Sequence, residues 1–256
     1  MEDSSSKSRS YSSKTIKILY ASAAGRCSKC HRSVVIGEDK LEQIGEIAHI
    51  YPFGESNSPR YLEIQQDNFP IELKNEEVNL ILLCPSCHAE IDAYSEKFPA
   101  KKLIQMKQDH IAWINQKLGE EISNITYAEL EVICKAIANC ASDYSDAPDY
   151  STIKIEEKII KNGLSSKSYN LIQQGMLKTK FVNAYLNNQT NVTFAEDLLK
   201  CIKSIYKEEA QIYQGDDLFL SILDRMHAGI EHDFAQQAAG IAVLTYFFHI
   251  CEVFEK

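Results

Sequence analysis

Two Cys-x-x-Cys pairs, Cys27/Cys30 and Cys84/Cys87, constrain this 256-residue chain more than any other feature. Each pair brackets polar or turn-forming residues, Ser28-Lys29 in the first and Pro85-Ser86 in the second. Two such knuckles have the form of a tetrahedral four-cysteine site, each giving two thiolates to one ion, and zinc is the usual occupant. The pairs are further apart than in compact zinc fingers. An ion held by both would clip the start of a module to its end across a long loop, where closing the chain removes most entropy. Cys134, Cys140, Cys201 and Cys251 are scattered through helical sequence as core-type residues. Paired knuckles in a reducing compartment indicate metal before disulfide.

Charge divides the chain unevenly. The net charge is −9, but residues 1–118 hold 15 Lys/Arg against 16 Asp/Glu, whereas the remainder holds 12 against 20. The first 35 residues carry seven basic side chains (Lys7, Arg9, Lys14, Lys17, Arg26, Lys29, Arg32) and two acidic ones. Any contact with phosphate therefore belongs to the N-terminal half, and the acidic half is expected to face protein. The opening Met-Glu-Asp-Ser-Ser-Ser lacks the basic-then-apolar order of a secretory signal. The longest apolar stretch, 238–254, is interrupted by Thr245, Tyr246, His249, Cys251 and Glu252 and is shorter than the roughly 20 residues of a bilayer span. It reads as a buried helix. A cytoplasmic location without a membrane partner is expected.

Seven serines and no apolar run mark residues 1–14 as a disordered tail. A short helix follows at 15–24, with Gly25 as its stop. Residues 42–50 suit a short strand, and Pro52, Gly54 and Pro59 mark a long loop. Asn79-Leu-Ile-Leu-Leu-Cys84 reads as a buried strand, and Pro85 turns the chain into a helix at 87–94. A second helix, 99–118, carries Leu103, Met106, His110 and Trp113/Ile114 on one stripe, with Gly119 as its end. From Thr126 the pattern is helical throughout. Leu130, Ile133/Cys134 and Ile137 form one stripe and Ile155, Ile159 and Ile160 another; further helices are expected at 169–187, 194–213, 217–230 and 235–255.

Between and beside the cysteine pairs stand His49, Asn79 and His88. Together with Glu46-Ile-Ala-His-Ile50, Asn79-Leu-Ile-Leu-Leu-Cys84 and Cys84-x-x-Cys87-His88-x-x-x-Asp92, this order resembles the HNH endonuclease family over residues 15–115. The resemblance implies a zinc-stapled ββα-metal module that hydrolyses DNA phosphodiester bonds with a catalytic divalent cation, Mg2+ or another. On the family pattern His49 is the general base. Asn79 fixes the strand–loop geometry or orients that histidine. His88 and Asp92, at i and i+4 on one helix face, are candidate ligands of the catalytic ion. The chain departs from the pattern at Ala48, where many members carry a metal-binding acidic residue or histidine. Glu46 is the candidate for the missing carboxylate. His31, next to Cys30, could replace a thiolate in the zinc site. His110 reads as a partly buried residue, and His227, His232 and His249 show no metal-binding spacing.

The segment Lys154–Leu164 and the closing 238–255 are similar to the C-terminal domain of ABC-three-component systems. That resemblance implies an anti-phage effector of the Lamassu-like kind, with an SMC/Rad50-like ABC ATPase and a small middle component as partners; its broad apolar faces also suit a homo-oligomer. The expected fold is α+β: a small zinc-stapled HNH domain at 15–118 and an all-α interaction domain at 126–256. The alternative to a nuclease is a catalytically silent zinc- and DNA-binding adaptor built on the same fold.

Overall fold

A computed structural model describes residues 11–37, 42–52, 60–138, 154–227, 233–250 and 254. The expected disordered tail lies outside the described residues as far as residue 10, as do Cys140, Cys251, His232 and most of the loop expected after Pro52. The described residues fall into two compact units, one reaching Ala112 and the other starting at Trp113.

The first unit opens with α1 (Ser13–Ser22), whose N-terminus is capped by the Ser12 hydroxyl accepting from Thr15 N at 2.9 Å. Tyr11, just outside the cap, and Ile16 both pack on the core, the pairing of a hydrophobic staple. Ala24 and Gly25, at φ of +51° and +61°, turn the chain out of the helix and into the first knuckle. Two short antiparallel ladders follow: β1 (Val35–Ile36) with β2 (Glu42–Gln43), and β3 (Glu46–His49) with β4 (Leu80–Leu83). The single strand expected at 42–50 is thus broken between β2 and β3. Gly45 lies in that break, packed so closely that a Cβ there would lie 2.6 Å from the Tyr20 hydroxyl and 2.8 Å from Leu82 Cδ1.

All four residues of β4 are buried, which is why the stretch reads as a continuous apolar run rather than an alternating one. Its register pairs Glu46 with Leu83 and His49 with Leu80. After α2 (Arg60–Gln66), two single-turn 3-10 helices lead into β4; after it, Cys84 serves as N-cap of α3 (Pro85–Ala93), with Pro85 in the first turn where its missing N–H costs nothing. Leu19, Ile50, Ile91 and Leu103 close the core around this hairpin and helix.

The helix expected to stop at Gly119 runs on: α4 spans Ala100–Asn124. A glycine inside a helix costs about 1 kcal/mol relative to alanine and does not end it unless the backbone turns left-handed. Here it leaves room for Gln174, whose side-chain nitrogen would be 3.3 Å from a Cβ at this position.

The second unit is helical: α5 (Tyr127–Ala138), α6 (Ile155–Lys161), α7 (Ser166–Met176), α8 (Thr179–Asn187), α9 (Phe194–Glu209), α10 (Gly215–Met226) and α11 (Phe234–Ile250). The stripe expected on α5 is buried, while on α6 Ile159 is buried and Ile160 faces outward. The helix expected at 169–187 is two helices. Lys178 N bonds Gly175 O at 3.0 Å, a tightened turn, and the Thr179 hydroxyl donates to the Met176 carbonyl at 3.0 Å, so the chain changes direction there. α11 is apolar on every side and buried from Gln237 to Phe248, as expected of a central core helix. It packs tightly on α7, where a Cβ on Gly175 would collide with Thr245 and come within 3.0 Å of the Ile241 carbonyl. No described helix is long and apolar enough to cross a membrane.

Candidate metal centre and active site

The two knuckles meet. Cys27 N bonds Arg32 O at 2.9 Å and His31 N bonds Cys27 O at 2.9 Å, closing the first turn through a φ of +62° at His31. Ser28 N reaches Leu82 O on β4 at 2.8 Å, which fixes this turn beside the start of α3. The sulfurs of Cys27, Cys30, Cys84 and Cys87 lie within 4.8 Å of one another. Cys30 Sγ and Cys84 Sγ are 3.7 Å apart, far beyond a disulfide length. That separation is close to the edge, about 3.8 Å, of a tetrahedron with Zn–S bonds of about 2.3 Å. The donor set therefore fits a tetrahedral thiolate-bound ion.

The thiols also differ in acidity. Burial works to raise Cys84, but the Cys87 backbone and the neighbouring thiols donate to it and bring it down to about 7. Burial pushes Cys27 and Cys87 up. Lys29, between the first two cysteines, bonds Glu90 on α3 at 2.7 Å and ties the knuckles together a second time. His31 is not among these donors; its ring packs on His110 at 5.1 Å. His110 is 1 % exposed, and burial holds it neutral, at a pKa of about 4, with Ala23 O at 3.2 Å from Nε2.

Beside this cluster the β3–β4 register does the positioning. Glu46 opposes Leu83, the residue before Cys84, so its side chain sits over the first turns of α3. Its Oε2 is 2.7 Å from His88 Nδ1. Asp92, one turn further along α3, places Oδ2 3.5 Å from His88 Nε2. Glu46, His88 and Asp92 are thereby brought together, with the two carboxylates on opposite ring nitrogens. An ion can take only one of those nitrogens. The three offer two carboxylates and a half-buried imidazole, but the carboxylates flank opposite ring nitrogens, and among the described residues the donors that converge on one point are the four cysteines. Ala48, on the same strand face as Glu46 by the two-residue alternation, is buried and offers no donor.

His49 lies on the other face of β3 from Glu46. Its Nε2 is 3.1 Å from Asn75 Oδ1 and its Nδ1 is 3.3 Å from the Tyr11 hydroxyl. Asn79 is fully buried and spends its amide on backbone rather than on the imidazole: its Oδ1 accepts from Tyr51 N at 2.8 Å, and its Nδ2 donates to Tyr51 O at 3.0 Å and Lys74 O at 2.9 Å. Of the two roles open to Asn79 in the sequence, the contacts match fixing the strand–loop geometry.

Three residues around these groups carry no sequence signal for the site. Asn75 lies in a polar turn, Tyr11 at the edge of a serine-rich stretch, and Arg60 at the start of α2. Arg60 is 6 % exposed, and its Nη2 stands 3.8 Å from Asp92 Oδ1. Burial lowers its pKa while Asp92 and Glu63 hold it charged. Only the staple position of Tyr11 could have drawn attention beforehand.

Comparison with known families follows this division. Residues 128–255, half of the chain, match C-terminal domain 10 of the ABC-three component (ABC-3C) systems. The chain belongs to the ABC-3C family. Residues 27–95 match the HNH endonuclease family, a segment that begins at Cys27 and contains His49, Asn79, His88 and Asp92. None of the curated proteins matches the chain. The ABC-3C domain makes this protein one component of a multi-component system, and the HNH segment supports a nuclease in it, with four cysteines that could hold a metal ion.

Proposed function

We propose that this ABC-3C protein is a metal-dependent endonuclease that hydrolyses DNA phosphodiester bonds, acting as effector of an anti-phage complex and controlled through its helical C-terminal domain. The observation that carries the reading is the Glu46–His88–Asp92 group, with Glu46 on the strand that also bears His49 and with His88 and Asp92 on α3, His88 directly after Cys87 of the four-cysteine cluster. Zn2+ held by Cys27, Cys30, Cys84 and Cys87 is structural. His88 and Asp92 would hold the catalytic divalent ion, Mg2+ or another; Glu46, placed among the ligands on sequence grounds, is assigned to orient His88 through Nδ1. An ion held there would supply charge neutralisation at the scissile phosphate and the departing 3′ oxygen. His49 takes the proton of the attacking water, a task suited to an imidazole near neutral pH. Asn79 secures the strand end and the Lys74 turn. The acidic helical half, with an SMC/Rad50-like ATPase and a small middle component as its partners, would bring the nuclease to DNA.

Two observations favour a silent DNA-binding adaptor as the second reading: Ala48 supplies no ligand, and Arg60 already faces Asp92. Incubating supercoiled plasmid with the protein and Mg2+, Mn2+ or Ni2+ separates them. Wild-type protein is expected to nick or linearise it, and His49→Ala to lose on the order of a hundredfold or more in rate. Equal cleavage by both would remove His49 as the base; binding without cleavage in every metal, partners included, would establish the adaptor.

A further inference from the structure

Both ring nitrogens of His49 are engaged, and by groups that are not equivalent. The partner of Nε2 is the side-chain oxygen of Asn75, which can only accept. That bond therefore requires the proton to sit on Nε2. Nδ1 is then left with the lone pair, and it faces the Tyr11 hydroxyl at 3.3 Å, a group able to donate to it. The two contacts agree on one tautomer.

What holds Asn75 in place is the other half of the arrangement. Asn79 Nδ2 donates to the carbonyl of Lys74, the residue immediately before Asn75, while the rest of its amide clamps the backbone of Tyr51, two residues past His49. A backbone bond from Ile50 N to Asn79 O, 2.8 Å, closes the same junction. The buried amide of Asn79 thus spans the end of the strand bearing His49 and the turn bearing Asn75. It sets the spacing between them without meeting the imidazole.

The geometry points to Asn75 as a positioning residue for His49: its oxygen fixes the Nε2–H tautomer, which leaves Nδ1 as the proton-accepting atom, and the Tyr11 hydroxyl occupies the place where a donor to Nδ1 must stand. This rests on the reading of His49 as general base. Water replacing the Tyr11 hydroxyl at Nδ1 would pass its proton to that nitrogen, and the imidazolium formed would keep its second N–H on the Asn75 oxygen.

The tautomer can be read without any cleavage. Long-range 1H–15N spectra of the full-length zinc-loaded protein at about pH 8 distinguish the two neutral imidazole forms. His49 is expected as Nε2–H in the wild type and in Tyr11→Phe, as a mixture of tautomers in Asn75→Ala, and again as Nε2–H in Asn75→Asp, which keeps the acceptor oxygen. In plasmid cleavage Asn75→Ala is expected to lower kcat by on the order of tenfold or more with KM unchanged, and Asn75→Asp to recover most of it. Zinc content and the circular dichroism spectrum confirm that each variant is folded. Nδ1–H in the wild type, a tautomer indifferent to Asn75→Ala, or one that moves with Tyr11→Phe instead would overturn the assignment. If the tautomer responds as stated but the wild type cleaves nothing, the nuclease reading fails and the placement of the proton stands. If the wild type cleaves while the tautomer ignores Asn75, the converse holds.

Discussion

At the scale of single residues, the first unit holds histidines in opposite circumstances. His88 is half-buried and flanked by carboxylates, whereas His110 is sealed against α1 and held neutral. The buried one has a consequence for stability. Its pKa falls from 6.5 to about 4 on folding, chiefly by burial, so the unfolded chain binds the extra proton. The contribution is fully present above about pH 6.5 and is lost as pH falls towards 4, by up to about 3 kcal/mol. Urea unfolding of zinc-loaded protein between pH 7 and 5 should show this slope, and His110→Gln should flatten it; an unchanged slope would show that His110 does not titrate on unfolding. The half-buried histidine makes a different prediction. His88→Ala should abolish cleavage while metal analysis still finds one zinc, and loss of that zinc would merge the two sites into one. His88 and Asp92 were marked as candidates by the resemblance to the HNH pattern together with their four-residue spacing, and the structure brings them side by side. Asn75 and Arg60 were not, because each reaches the site from a separate segment with no spacing rule linking it to its partner.

Among elements, β4 and α3 carry most of the organisation, because the register and the knuckle share the Leu83–Cys84 step. The strand places Glu46 opposite Leu83, Cys84 caps the helix, and His88 follows within it. A defect here would disturb both the four-cysteine cluster and the candidate active site. Cys84→Ser should bind about one zinc fewer and leave the first unit unfolded, since structural zinc binding and folding are one equilibrium; retention of zinc with a native-like spectrum would refute the role of this cysteine. The helix at α3 and the strand at β4 were readable from Pro85 and the apolar run before it. The close packing at Gly45 was not, because Tyr20 and Leu82 arrive there from distant segments. The same holds for Gly119: the sequence offers a helix stop, but a glycine in a helix also serves as clearance, here for Gln174, and only tertiary packing decides between the two.

The whole molecule joins two chemistries that seldom suit one surface. The first 118 residues are nearly neutral, and the remainder carries a net charge of −8, so DNA cannot be held by the total field of the chain. On the proposed function, phosphate binding would come from local cations in the first unit, and the helical unit should repel DNA or ignore it. This sets an expectation for an isolated component of a larger assembly: weak DNA affinity, steeply lost with salt only to the extent that a few cations are engaged. Arg32 is exposed on the first knuckle, next to the histidine that closes its turn, whereas Lys180 is exposed on α8 of the helical unit. Fluorescence anisotropy with a short duplex, in a salt series from low ionic strength upward, should find Arg32→Glu weaker at every salt, with the slope of log K against log salt reduced by about 1. Lys180→Glu should leave affinity and slope unchanged. If the two reversals weakened binding equally, DNA would be contacting the acidic half as well, and the proposed separation of a DNA-cutting unit from a partner-binding unit would have to be abandoned.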